Sequence, residues 1–300
     1  MYNYSNYQGE GVSPPGWSDE ANDLAKDFLY GNPYYPFPYN ITDWYIPEVG
    51  TPNVKPQRSV QYETGLRTRI GNQYLLTANL YYKDMFDYIA SKRYDADPSQ
   101  YAIYENMDYA NSRGLEITLK KLFSNGFDWD LNYTLARAEG NAPTPDYHWY
   151  VAEWASGYDW RDFNRTYTMP WDQTHTINFR LNYFTPTGFG LSSIANYGSG
   201  LPYTPEDARA RPIDEQYSGR MPSTSNVNLK LFYDRKMMGY DIRFFADITN
   251  LFDKENVLAV DNTTGEPDAT LDSGQSPMVV WKPYYISAPR HIELGISISR

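Results

Sequence analysis

From Ser59 to the C-terminus, apolar and polar residues alternate in nine separate runs, and the connections between runs alternate between short and long. The short connections are Gly71-Asn72-Gln73, Ser124-Asn125-Gly126, Thr185-Pro186-Thr187-Gly188 and the stretch from Asp234 to Gly239. The long ones run roughly from Ser91 to Ser112, Glu139 to Gln173, Gly198 to Ser225 and Leu251 to Arg290. Alternation at period two is the pattern of a strand with unlike faces. Turns that differ in length from one end of the sheet to the other give it two unlike ends. This is the pattern of an antiparallel β-barrel in an outer membrane, with tight turns on one side and long loops outside.

The runs separate by parity. Val60, Tyr62, Leu66 and Ile70 oppose Gln61, Glu63, Arg67 and Arg69. Tyr74, Leu76, Ala78, Leu80 and Tyr82 oppose Thr77, Asn79, Tyr81 and Lys83. Leu115, Ile117 and Leu119 oppose Glu116, Thr118 and Lys120. Phe127, Trp129, Leu131, Tyr133 and Leu135 oppose Asp128, Asp130, Asn132 and Thr134. The runs starting near Thr176, Phe189, Val227, Tyr240 and His291 repeat the pattern. Central apolar positions carry no charge, and a Lys or Arg at the bilayer midplane would cost about 2–4 kcal/mol. Aromatics end the apolar rows at Tyr74 and Tyr82, Phe127 and Tyr133, Phe189 and Tyr197, and Tyr233 and Tyr240. Interfacial girdles fall at such positions. A two-layer sandwich shows the same alternation, and it stands as the alternative.

Composition fits the barrel without deciding it. The chain has 30 Tyr, 8 Trp and 13 Phe among 300 residues, and no cysteine. Mean hydropathy is −0.67, as expected when only every second side chain meets lipid. A net charge of −11 argues against nucleic acid as a partner. The start, Met1 to Gln8, has neither a basic nor an apolar signal-peptide region. Nine strands is an odd number for a closed bacterial barrel. Together these predict that the chain is the C-terminal part of something longer. Residues 1–58 then form an irregular extracellular segment, and residues 59–300 form the barrel.

Several segments resemble TonB-dependent outer-membrane receptors. They are Gly50 to Gly65 (GTPNVKPQRSVQYETG), Tyr81 to Ile89 (YYKDMFDYI) and Tyr109 to Glu116 (YANSRGLE). Trp171 to Thr176 (WDQTHT), Tyr197 to Pro205 (YGSGLPYTP) and Ile248 to Asn256 (ITNLFDKEN) complete the series, in the family's order. The resemblance implies a barrel of about 22 strands plugged by an N-terminal globular domain. It also implies a receptor, not an enzyme, that takes up a bulky, scarce ligand such as an iron chelate, cobalamin or a glycan. TonB would act only through the plug, which these residues lack. The lipid and lipopolysaccharide of the bacterial outer membrane would surround the wall. The alternative function is a soluble, Tyr/Trp-rich carbohydrate-binding sandwich.

No catalytic constellation and no cofactor site is expected. His148, His175 and His291 lack metal-ligand spacing. Asp128 and Asp130 share a strand face, where Arg180 or Lys120 are the expected ion-pair partners. Ligand contact is expected from a long loop carrying Tyr147, Trp149, Trp154, Tyr158, Trp160 and Arg161. Flat rings stack on sugars or apolar chelates, and loops on rigid scaffolds carry function. Packing of these rings against neighbouring loops or lipopolysaccharide is the competing explanation.

Overall fold

A computed structural model describes residues 48–49, 51–94, 101–142, 165–207, 214–272, 277–281 and 283–300. Nine long strands dominate it: β1 (Arg58–Ile70), β2 (Tyr74–Tyr94), β3 (Tyr101–Ser124), β4 (Phe127–Gly140), β5 (His175–Phe184), β6 (Phe189–Gly198), β7 (Thr224–Met237), β8 (Tyr240–Thr249) and β9 (His291–Ser299). Each pairs antiparallel with its neighbours in the chain, so the sheet is a meander in the order β1 to β9. β1 and β9 are its two edges, and among the described residues the sheet does not close on itself. The two-residue strand Glu48–Val49 lies parallel to β3, and Tyr167–Thr168 extends β4.

Register carries the parity across the sheet. Leu66 faces Ala78, Ala78 faces Ile117, Ile117 faces Tyr133, Tyr133 faces Ile177, and Ile177 faces Tyr197. On the far side Leu229 faces Ile248, which faces Ile292. The apolar rows therefore form one continuous face, and the polar rows form the other. Among the described residues, nothing is stacked on the apolar face. Among the described residues the buried apolar ones are Ala90, Ala102, Ala110, Tyr167, Met169 and Val260, none from the central rows. Leu66 is 60% exposed, Leu80 55% and Leu294 76%. Burying one such side chain stabilises by about 1.5–3 kcal/mol, so a whole row left in water has no compensation. Acyl chains supply it. The two-layer sandwich is thereby excluded.

Charges of the apolar parity fall only at the two ends of the rows. Arg113 and Arg137 lie beyond the outer aromatic positions, and Lys121 lies beside the short turn after β3. Lys121 is buried, and it is absent from the sequence expectation. Its ammonium donates to the Ser124 carbonyl (3.1 Å), the Ser124 hydroxyl (2.8 Å) and the Phe127 carbonyl (2.9 Å), and stands 3.8 Å from the Phe127 ring centre. The ion is thus enclosed by turn oxygens instead of lipid. Aromatic rings also meet across strands on the outward face. Tyr74, Trp129 and Phe179 make a row with ring centres 6.2 Å apart at each step. At the outer level, the Tyr133 hydroxyl lies 3.0 Å from His175 Nδ1.

Two connections differ from expectation. The stretch from Asp234 to Gly239 is mostly strand, and the turn is only Met238-Gly239, with φ of 55° and 83°. Asn125-Gly126 turns the same way, with φ of 53° and 89°. Positive φ at both positions gives the hairpin turn whose twist matches its strands. The expected loop from Ser91 to Ser112 is largely a continuation of β2 and β3, which are 21 and 24 residues long. A strand crossing the membrane needs only about 9–11 residues, so this hairpin stands well outside it. The pairing is irregular between Met85 and Ile89, where Asp87 adopts φ of 59°. That irregularity breaks the alternation that sequence reading follows. Arg58 Nε donates to Asp87 at 2.7 Å, and the Asn106 amide donates to the Asp87 carbonyl at 2.7 Å.

Inner-face glycines are covered by rings from the neighbouring strand. A methyl at Gly190 would collide with Phe232, one at Gly295 with Phe245, and one at Gly114 with Tyr81. The two faces give a direct test. Leu131→Arg should block folding into lipid vesicles, whereas Asn132→Arg should be tolerated, as read by heat-dependent gel mobility. Equal behaviour of the two variants would refute the face assignment.

Candidate functional site

The inner wall is a band of paired charges. Arg180 Nε donates to Asp130 Oδ2 at 3.0 Å, and its Nη2 reaches Asp130 and, at 3.7 Å, Asp128. Lys120 approaches Asp130 from the other side at 3.2 Å. The expected partners of the two acids are therefore both present. Asn182 continues the chain from Asp128 (3.1 Å) to Ser192 (2.8 Å), and Lys230 meets Asp247 at 2.9 Å. One rung toward the outer rim, β3 to β6 present only hydroxyl and amide side chains. Thr118 donates to Asn132 (2.9 Å) and Asn196 to Asn178 (2.6 Å). These partly exposed pairs contribute little stability individually. Their effect is to fix the side chains that line the wall.

The outer rim is organised by Asp172, whose side chain is 1% exposed. Its Oδ1 accepts from the Ala138 backbone N–H at 2.7 Å, and its Oδ2 from Thr174 at 3.2 Å and Arg220 Nη2 at 2.6 Å. Arg220 Nη1 donates to the Asp172 carbonyl (2.8 Å) and the Gly200 carbonyl (3.2 Å). One carboxylate thus ties the end of β4, the segment entering β5 and the long connection after β6. A cavity of about 260 Å³ lies beside this hub. Its lining includes Ser112, Thr134, Ala136 and Ala138 from the inner wall, with Met169 and Trp171 from the segment that enters β5.

A second staple holds the other end of the rim. Asn250 has φ of 55°, and its side-chain amide donates to the Lys254 (3.0 Å) and Ala288 (3.2 Å) carbonyls. Asn256 exchanges two hydrogen bonds with the Ser225 backbone, at 2.8 and 2.9 Å, as a strand residue would. Asp253 accepts from the Arg290 N–H at 2.7 Å, at the entry to β9. The ITNLFDKEN segment is therefore a structural clamp. Above the membrane level, Tyr109 donates to Asp84 at 2.5 Å, and that bond raises its phenol well above the ordinary range.

The loop aromatics Tyr147, Trp149, Trp154, Tyr158 and Trp160, with Arg161, lie outside the described residues, as does His148. His175 and His291 open β5 and β9. The Asp172–Arg220 pair and the cavity were not foreseen. Asp172 sits in the WDQTHT segment, but its partner is 48 residues away and carries no local signal. The inner-face rings Phe184, Phe232 and Phe245 were also passed over, because an apolar residue there contradicts strict alternation.

An open meander with a lipid-facing apolar side, a charged inner side and a stapled rim of long connections defines the wall of an outer-membrane β-barrel. The family model described as TonB dependent receptor-like, β-barrel matches residues 4–251, and the chain belongs to that family of the bacterial outer membrane. Among solved structures, the outer membrane transporter YddB from Escherichia coli has 12% identity and a TM-score of 0.55, over 86% of this chain and 35% of that one. The FrpB iron transporter from Neisseria meningitidis has 12% identity and a TM-score of 0.51, over 83% and 32%. FpvA of P. aeruginosa, solved bound to heterologous pyoverdines, has 10% identity and a TM-score of 0.52, over 81% and 27%. The chain thus spans about a third of the length of such structures. No curated protein matches.

Breaking the hub should loosen the rim and leave the membrane band intact. Arg220→Met leaves Asp172 buried without its cation, a loss of about 3 kcal/mol. Hydrogen exchange at the Ala138 and Met169 amides should rise at least about tenfold, with the central strands unchanged. Arg220→Lys should restore only part of the protection, because an ammonium cannot span the same three acceptors.

Proposed function

We propose that the chain is the wall of a receptor that binds a bulky, scarce ligand outside the cell and takes it up with energy delivered through TonB. The observation that carries this reading is the two-faced meander: one side suits lipid, the other is a fixed polar lining, and the long connections gather at one end. Such a wall positions ligands and performs no bond chemistry, so the role is non-enzymatic. The ligand class is an iron chelate, cobalamin or a glycan. TonB contact runs through a plug domain outside these 300 residues. Outer-membrane lipid and lipopolysaccharide meet the outward face.

Ligand contact falls to Tyr147, Trp149, Trp154, Tyr158, Trp160 and Arg161, on the connection between β4 and β5. The hub at Asp172 supports this, since it anchors the returning end of that connection. Residues 1–58 form an irregular extracellular segment, and residues 59–300 form the wall.

The test uses the full chain folded in lipid vesicles and titrated with ferric tris-catecholate, cobalamin and a neutral oligosaccharide. At least one should bind. Exchanging Trp149, Trp154 and Trp160 together for Ala should weaken it at least about tenfold. Failure to insert, or binding of none of the three, would overturn the reading.

A further inference from the structure

The cavity beside Asp172 has a chemistry of its own. It is about 260 Å³ in volume, below the ~300–1,000 Å³ typical of sites for drug-sized ligands, so it suits one ring and not a whole large molecule. Its floor is the inner face of β3 and β4, where Ala110, Ala136 and Ala138 keep side chains short. Met169 and Trp171 lie on the segment entering β5, and Trp171 is 58% exposed.

The charges around the cavity are already matched. Asp172 is held by Arg220 at 2.6 Å. Glu139 is held by Arg113 at 3.0 Å and Arg137 at 2.7 Å. Neither carboxylate is free to bind a cationic ligand or a metal, and no lining residue is cationic. Thr176 donates to Gln173 at 2.9 Å, and Gln173 donates to the Ser199 carbonyl at 3.2 Å. The hydroxyls of Ser112 and Thr134 differ: they line the cavity and have no hydrogen-bond partner among the described residues. Each can both donate and accept.

Two uncommitted hydroxyls, a floor of methyl groups and an exposed indole are complementary to one kind of group. A sugar ring has apolar C–H faces that stack on an indole, and hydroxyls at its edge that pair with Ser and Thr. We propose that this rim cavity is a subsite for one uncharged pyranose unit of the molecule the receptor takes up. The subsite rests on the receptor reading, which sets the rim on the outside of the cell. It narrows the ligand to one that displays a neutral sugar ring.

The full chain, folded in detergent micelles, is titrated by calorimetry with maltose, cellobiose and N,N′-diacetylchitobiose, and with catechol as the flat phenolic contrast. At least one sugar should bind, and catechol should not compete with it. Trp171→Ala removes the stacking face and Ala136→Leu fills the floor; each should weaken binding at least about tenfold. Thr134→Val keeps the volume and removes a hydroxyl, and should weaken it about fivefold. It also serves if Ala136→Leu fails the heat-mobility test of folding. Lys236→Gln, at the opposite end of the wall, should change nothing.

The proposal is overturned if no sugar binds, if catechol displaces the sugar, or if the folded variants bind as tightly as the parent. A chain that inserts in lipid and binds ferric tris-catecholate, but no sugar, would remove the subsite and leave the receptor reading standing. A chain that fails to insert would remove that reading itself.

Discussion

Strand register is the constraint on which everything else in this molecule depends. A slip of one residue between neighbouring strands would turn every side chain to the opposite face. It would set Asp130 and Arg180 against acyl chains, and Leu131 and Phe179 against water. The aligned register instead holds through the central rows of all nine strands, and the irregularity between Met85 and Ile89 lies outside them. Short two-residue turns enforce it at one end, at Asn125-Gly126 and Met238-Gly239. The hub at Asp172 and the clamp at Asn250 and Asn256 hold the other end. Length differences between connections thus have a mechanical counterpart: tight turns need no side-chain help, while long ones are tied down.

The wall's two faces use different forces. Outside, dispersion and the exclusion of water from methyl and ring surfaces act, and no specific partner is required. Inside, a set of charges is paired, and the pattern across β3 to β5 is Lys120, Asp130, Arg180, Asp128. Exposed pairs of this kind add little to stability, but they hold long side chains in one arrangement. A lining of that sort offers a passing molecule a fixed surface. Toward the rim, small side chains open the cavity beside Trp171.

The nine strands, their order and their faces were legible because a period of two survives in every run. The Asp128 and Asp130 partnerships were legible too, since opposite charges of equal parity lay on adjacent strands. Three features were not. The irregularity at Asp87 resets the alternation, so the strand pattern beyond it, from Ser91 to Ser112, reads as loop. Phe232 and Phe245 point inward, which hydropathy alone reads as a contradiction. The Asp172–Arg220 pair joins residues on different long connections, and only the fold brings them together. Local pattern conveys what backbone geometry repeats; it is silent on contacts made once.

The glycines facing inward at positions 114, 190 and 295 bear on the shape of the whole wall. A sheet that wraps around an axis crowds its concave side, because side chains there converge while those on the convex side spread. Omitting a side chain relieves that crowding at one point, and the ring laid over the gap from the next strand keeps the lining sealed. Tyr81, Phe232 and Phe245 therefore let the ribbon bow without leaving holes through which water could reach the backbone ladder. The diameter of such a cylinder is set partly by where its residues with nothing to fold inward happen to stand.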